Sequence, residues 1–342
     1  MRRSISSVLC AVVLAACAKS STKPEVHLYT WDSYDDPAIF AAFEEKTGLK
    51  VVVDYYGSNE ELLAKLMGGK GGYDVIMPSD YMVDIMARQG LLAEVPADAV
   101  PNRKHLDPRF MNLPFDKGNR YSFPYLWGLT GIAYDSDVVK PAPDSWNALW
   151  DPKYKGRIVM LNDQREVIAM TLHSLGKDPN SRDPKDLEAA KRRLVAQKPL
   201  VRAYQSENQK ALLINGEAVI SQSWSVDVNL AAREKPSIKF AVPKEGAFLW
   251  MDNLALTKAA PNPQGAIQLM DYLLDPEVAV KLHQKLGGGT PLKPVAERMP
   301  AEARGNPTIV PTDAVIKKAR WLKDVGEAAP AYDRLWTELK AG

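Results

Sequence analysis

The chain has 342 residues, 46% hydrophobic and 25% charged, with 44 basic residues against 42 acidic ones. That length predicts about two domains at roughly 150 residues each, and the composition is that of an ordinary globular chain able to bury its core without disulfides or metal. Charge is nearly balanced and no long basic run occurs, which excludes the electrostatic footprint of a nucleic-acid binder.

Met1-Arg2-Arg3 is a basic start, and Val8 to Ala16 is a short apolar run. The run is too short to cross a bilayer and reads as the core of a secretory signal. It closes on Leu14-Ala15-Ala16-Cys17, which resembles the bacterial lipobox, where cleavage precedes a lipid-modified Cys. Residues 1–16 are therefore expected to be a signal peptide, and residues 17–24 the lipidated Cys with a small polar tether. Loss of residues 1–16 removes Arg2, Arg3 and Cys10, leaving 42 basic against 42 acidic residues. With Cys17 acylated, the mature domain has no free thiol, disulfide or Cys metal site.

Val26 to Tyr29 reads as a strand, with Trp31 to Tyr34 in the loop after it. Asp36-Pro37 opens a helix, Asp as N-cap and Pro at the first helical position, with Gly48 at its end. Val51 to Tyr55 is β-branched and aromatic, a second strand. Ser58-Asn59-Glu60-Glu61 is a capping box for an amphipathic helix ending at Gly68-Gly69. Tyr73 to Met77 is a third strand, and Ser79 is placed to cap a helix running through Arg88. This alternation predicts a parallel sheet with helices on both faces. A second α/β region is expected after Gly131-Ile132-Ala133-Tyr134, with strands at Ile158 to Leu161 and Ala218 to Ser221 and helices at Arg165 to Leu175 and near Asp186 to Val195. Gly246 to Leu256 is another apolar run, Asp275-Pro276-Glu277 starts a helix ended by Gly287-Gly288-Gly289, and the C-terminal part is helical.

In open α/β sheets, ligands sit at the carboxyl ends of strands. Trp31-Asp32, Ser79-Asp80-Tyr81 and Asn162-Asp163 all fall just after predicted strands. Trp224 precedes Asp227 by three residues, and Trp250-Met251-Asp252 ends an apolar run. A Trp face attracts cations and a neighbouring carboxylate completes the charge balance, so three such pairings point to a pocket for an organic cation. Enzymatic readings find less support. His27, His105, His173 and His283 are scattered without zinc spacing, and no nucleophile elbow, P-loop or dinucleotide fingerprint is present. Gly68-Gly69-Lys70-Gly71-Gly72 follows a helix rather than a strand. No cofactor is expected. Asp163 and Glu166, three apart, could complement a helix dipole, serve as the carboxylate pair of a carbohydrate-active enzyme, or hold a cation.

Several segments resemble the periplasmic polyamine-binding proteins, the spermidine/putrescine receptors of ABC importers. They are Tyr29-Thr30-Trp31-Asp32-Ser33-Tyr34, Tyr73 to Tyr81, Phe123 to Gly128, Ser145-Trp146 with Leu149-Trp150, Arg165-Glu166-Val167, Pro243 to Gly246, Trp250-Met251-Asp252 and Asp324-Val325-Gly326. They run in family order from about Val26 to the C-terminus. The resemblance implies an α/β periplasmic binding protein of type II-like fold: two α/β lobes, hinge crossovers, and a ligand cleft that closes on a polyamine. On that pattern, residues 25–130 plus 253–298 would form one lobe and residues 131–252 plus 299–342 the other. Trp31 and Tyr34, with Asp32 and Ser33, would line the first wall, and Ser79, Asp80 and Tyr81 would lie beside them. Asp163 and Glu166 would hold one ammonium, Trp224 and Trp250 would sandwich the methylenes, and Asp252 would meet another nitrogen. Asp227 matches an Asp of the putrescine-preferring branch. Trp127, Trp146, Trp150 and Trp336 read as packing.

The chain also departs from the family. Gly288 stands where spermidine-type members tend to have Tyr, Leu322 where they have Gln, and Ser33 where an acidic residue is usual. These changes tilt the reading towards putrescine. The implied partners are a polyamine, ABC permease subunits and a membrane reached through Cys17, with the protein itself a monomer in the periplasm or cell envelope. A polyamine sensor docking on a membrane signalling receptor is the alternative, and a carbohydrate-active enzyme a remote one.

Overall fold

A computed structural model describes residues 23–32, 34–69 and 72–341. The signal peptide, Cys17 and Ser33 lie outside those residues. The described strands are β1 (Glu25–Trp31), β2 (Lys50–Tyr56), β3 (Val75–Ile76), β4 (Ser122–Asp135), β5 (Ile158–Met160), β6 (Val201–Tyr204), β7 (Ile220–Trp224), β8 (Ile238–Ala241), β9 (Phe248–Leu256) and β10 (Arg320–Trp321). Their order across the sheet is β2-β1-β3-β9-β4-β7-β5-β6, with β8 alongside β4 and β10 alongside β9.

The sheet is mixed, which corrects the expectation of a parallel one. Two patches are parallel: β1 with β2 and β3, and β5 with β6 and β7. Between them run β4 and β9, antiparallel to each other from Ser122↔Ala255 to Thr130↔Phe248. The C-terminal end of β9 pairs antiparallel with β3, and the C-terminal half of β4 pairs antiparallel with β7. Helix–strand alternation in the sequence reports only the parallel patches, because a parallel pair needs a crossover helix whereas an antiparallel strand needs none. Gly131 to Tyr134, after which a second region was expected to begin, lie in the second half of β4, continuous with its first half.

Local chemistry explains most helix boundaries. The Asp36 side chain accepts from the Ala38 N–H, Pro37 occupies the first turn, and Gly48 closes the helix with φ of 75°. Ser58 accepts from the Glu61 N–H, but Glu61 answers to the Gly57 N–H rather than completing the reciprocal capping box at Ser58. Asp275 caps the Pro276–Leu286 helix and Gly287 ends it. Several strand bounds differ from the sequence reading. Trp31 is the last residue of β1 rather than a loop residue, β3 shrinks to Val75–Ile76, and β7 starts at Ile220 and extends to Trp224.

The core lies between the sheet and its helices. Phe40 and Phe43 of the first helix are buried, and the Phe43 ring sits 5.1 Å from that of Tyr272 on the Pro263–Leu273 helix. Trp146 is fully buried, stacked 5.7 Å from Phe248 and donating through Nε1 to the Gly246 carbonyl. Trp127 and Trp146 thus pack as expected, and half-buried Trp150 donates to the Arg193 carbonyl.

Candidate functional site

The strand ends converge on one cavity beside the β3-β9-β4-β7 junction. Every described residue of the expected set lines it: Trp31, Asp32, Tyr34, Ser79, Asp80, Tyr81, Asp163, Glu166, Trp224, Asp227, Trp250 and Asp252. Topology does this work. Trp31 closes β1, Ser79 to Tyr81 follow β3, Asp163 opens the helix after β5, Trp224 closes β7, and Trp250 and Asp252 lie within β9.

Asp252 is the centre of one wall. Its Oδ1 accepts from the Ser79 hydroxyl at 2.7 Å and its Oδ2 from the Tyr34 hydroxyl at 2.7 Å. Ser79 was expected to cap the helix Asp80–Arg88, yet its side chain makes no capping bond. Its hydroxyl is turned to Asp252, and Asn59 holds it there: Asn59 Nδ2 donates to Ser79 Oγ at 3.0 Å, and Asn59 Oδ1 accepts from the Ser79 N–H at 3.1 Å. Burial pushes the Asp252 carboxyl up to about 7 against these bonds. Asp80, the next residue after Ser79, is also buried, and burial together with Asp252 and Glu166 holds it well above the usual carboxylate range.

The opposite wall is built on the Gln164–Ser174 helix. Asp163 is its N-cap, accepting from the Glu166 N–H at 3.0 Å. Glu166, 6% exposed, accepts through Oε1 from the Thr130 hydroxyl at 2.8 Å and from Trp224 Nε1 at 3.3 Å. Its Oε2 is sealed from solvent without a protein partner. Burial, then the neighbouring Asp163, raises the Glu166 carboxyl, and burial raises Asp163. Arg165 opposes both shifts from behind the wall, stacked 5.0 Å from the Tyr332 ring and 5.9 Å from that of Tyr81. Tyr81 in turn donates to Glu60 at 3.1 Å.

Three indoles complete the chamber. Trp31 and Trp224 meet edge to face at 5.8 Å, and Trp31 is anchored by Nε1 donating to the Met77 carbonyl at 3.0 Å. Trp250 lies across Gly128, its partner in the β4–β9 ladder. A Cβ at that glycine would sit 2.4 Å from the Trp250 ring, so only glycine allows this ring position. Half-buried Asp227 stands 3.5 Å from Lys210, and burial still raises its carboxyl.

Sequence reasoning missed Tyr56, Gly57, Asn59, Ser206, Glu207, Val226 and Leu249, which also line the cavity. Tyr56 and Gly57 follow from the strand-end rule, since Tyr56 ends β2 and Gly57 comes directly after it. Ser206 and Glu207 follow β6, which was not recognised as a strand. Leu322, noted as a family departure, lines the cavity as an apolar wall. At Gly288 a Cβ would meet Leu126 at 2.8 Å and Val226 at 2.9 Å, so the room a larger side chain needs is already filled. Seven lining residues are carboxylates and none, among the described residues, is basic. Such an arrangement binds cations: each ammonium brings donors to the buried oxygens, and indole faces accept the charge and the adjoining methylenes.

The sequence profile of the bacterial extracellular solute-binding proteins matches residues 38–311. The chain is 37% identical to spermidine/putrescine-binding periplasmic protein 1 of Haemophilus influenzae over 98% of each chain. It is 32% identical to the putrescine-binding periplasmic protein SpuD of Pseudomonas aeruginosa over 96% of this chain and 95% of that one. The spermidine/putrescine ABC transporter substrate-binding protein of Streptococcus pneumoniae superposes with a TM-score of 0.76 at 30% identity, covering 93% of this chain and 99% of that one.

Proposed function

The chain belongs to the family of bacterial extracellular solute-binding proteins, and from that premise we propose that it captures a polyamine, putrescine or spermidine, for an ABC importer. The observation that carries this reading is the charge of the cavity: seven carboxylates, no basic side chain among the described lining residues, and three indoles. Desolvated carboxylates favour a cation strongly, since two unit charges 4 Å apart attract by about 4 kcal/mol at an effective dielectric near 20. Polyamines supply ammoniums separated by methylenes, which matches carboxylates separated by Trp faces.

Asp163 and Glu166 hold one ammonium, with Glu166 Oε2 as the acceptor that lacks a protein donor. Trp224 and Trp250 flank the methylenes and Asp252 meets another nitrogen. Trp31, Tyr34 and Tyr81 form the aromatic rim, Ser79 aligns Asp252, and Asp32, Ser33, Asp80 and Asp227 complete the polar set. Residues 25–130 with 253–298, and 131–252 with 299–342, act as the closing lobes. The protein binds without chemical turnover, works as a monomer, is tethered through lipid on Cys17, and passes its cargo to the permease.

Calorimetric titration of residues 18 onward with putrescine, spermidine and a neutral sugar tests this. Sub-micromolar binding of an amine with none to the sugar is expected. Sugar binding, or binding of neither amine, overturns the ligand class.

A further inference from the structure

Arg165 is a cation in an unfavourable place. It is 3% exposed and sits in the first turn of the Gln164–Ser174 helix, where the helix dipole already presents positive charge. Its Nη2 donates to Asn180 Oδ1 at 2.9 Å and to the Lys323 carbonyl at 3.1 Å, while Nε and Nη1 are buried without a hydrogen-bond partner. Burying a charge this way is costly unless opposite charge lies near.

Opposite charge surrounds it. Asp163 and Glu166 stand on its own helix, and Glu60 acts on the same group from the Asn59–Met67 helix. The Tyr81 ring of the Asp80–Arg88 helix and the Tyr332 ring of the Ala329–Ala341 helix flank the guanidinium, and Asp178 and Arg182 act at Tyr332. Asp80 in turn faces Glu166. Tyr81 donates to Glu60 Oε1, and Glu60 Oε2 is sealed without a partner. Glu60 follows β2 and Asp163 follows β5, so carboxylates from opposite patches of the sheet repel each other here. Burial, then Asp163, pushes Glu60 up to about 8, and Arg165 pulls Glu60, Asp163 and Glu166 back down. Arg165 does not line the cavity, so a ligand has no need to displace it.

Resting on the polyamine reading above, we propose that Arg165 is a positioning residue, a fixed cation behind the wall that sets how much negative charge Asp163, Glu166 and Glu60 offer to an incoming ammonium. It has two opposed effects on binding. The guanidinium repels the ligand, and it also favours the ionised carboxylates that the ligand needs. Acid makes the second effect dominant, because the carboxyls then hold protons unless a cation opposes them. At high pH they ionise without help, and only the repulsion remains.

The experiment compares the purified protein with Arg165→Gln and Arg165→Lys, titrated with putrescine and spermidine between about pH 6 and pH 9. One unit of upward shift, summed over the carboxyls, costs about tenfold in affinity below their range. Arg165→Gln is expected to bind about tenfold more weakly at pH 6 and to match or exceed the parent at pH 9. Arg165→Lys keeps the charge and should keep the parent's pH profile. Melting of the empty proteins gives a readout that needs no ligand. Carboxyls raised above their unfolded range cost stability as pH rises, and losing Arg165 raises them further. The melting temperature of Arg165→Gln, relative to the parent, should therefore drop by several degrees from pH 5 to pH 9. A loss of affinity or stability that is the same at every pH assigns Arg165 to packing and overturns the proposal. Tighter binding by Arg165→Gln throughout, or no change at all, overturns it too. Should Arg165→Gln fail to fold, Arg165→Lys decides: the parent's profile upholds the charge, and an altered one overturns it. An unaltered protein that binds neither amine overturns the polyamine reading, while the melting comparison still judges Arg165.

Discussion

Asp252→Asn separates what the empty protein wants from what its ligand wants. Burial lifts this carboxyl from 3.8 to about 7. A shift of about three units at about 1.4 kcal/mol each means that the fold disfavours the ionised form by about 4 kcal/mol. The sign follows from proton occupancy. Between about pH 4 and pH 7 the folded protein keeps a proton that the unfolded chain has released, so stability falls as pH rises through that window and stays low above it. Asparagine removes the charge but cannot accept through Nδ2, so the Tyr34 or Ser79 hydroxyl must turn, at about 1 kcal/mol. The empty variant should therefore gain about 3 kcal/mol at pH 8, a rise of several degrees in melting temperature, and little at pH 4. Polyamine affinity should fall by more than about tenfold, because losing a buried charge partner costs about 2–5 kcal/mol. Scanning and titration calorimetry read both effects on one sample. Unchanged affinity would remove Asp252 from the site. A variant less stable than the parent at pH 8 would refute the electrostatic reasoning.

Gly128→Ala should displace the Trp250 ring that a Cβ would meet at 2.4 Å. We expect about 1–3 kcal/mol of destabilisation and at least tenfold weaker polyamine binding, and an unchanged Trp fluorescence response to ligand would contradict it. Carboxyls held above their usual range release protons when an ammonium replaces them, so affinity should fall as pH drops from 8 to 6. Titration heats should then vary between buffers of different ionisation enthalpy, and buffer-independent heats would exclude proton release. Cys17→Ser should move the protein from the membrane fraction to the soluble one, and continued sedimentation with membranes would count against the lipid anchor.

Helix starts were legible because Asp36-Pro37, Ser58 and Asp275-Pro276 combine a capping side chain with a local backbone constraint. β4 was not legible, since Pro124, Gly128 and Gly131 interrupt its pattern, and the two glycines do so for a long-range reason, the Trp250 and Phe240 rings packed on them. For the site, the strand-end rule reached Trp31, Ser79 and Asp163 without coordinates. It could not reach Glu207, because β6 is four partly exposed residues with no clear alternation. Nor could it show that the Ser79 hydroxyl serves Asp252 rather than its own helix, a pairing across 173 residues. Short-range chemistry reads one turn at a time, whereas hydroxyl orientation is settled by whichever acceptor folding brings nearest.

The β4–β9 ladder, which joins the two parallel patches, also fixes how one can move against the other. A hydrogen-bonded antiparallel pair resists stretching and sliding, since a one-step slip would reverse the facing of every side chain, but it twists with little cost. We expect torsion about this ribbon to be the soft coordinate, with the rim contributed by opposite patches travelling farther than the ladder itself. Amides midway along β4 and β9 should exchange slowly whether the cavity is filled or empty. Residues at the rim, Trp31 and Trp224 among them, should show the ligand-dependent protection.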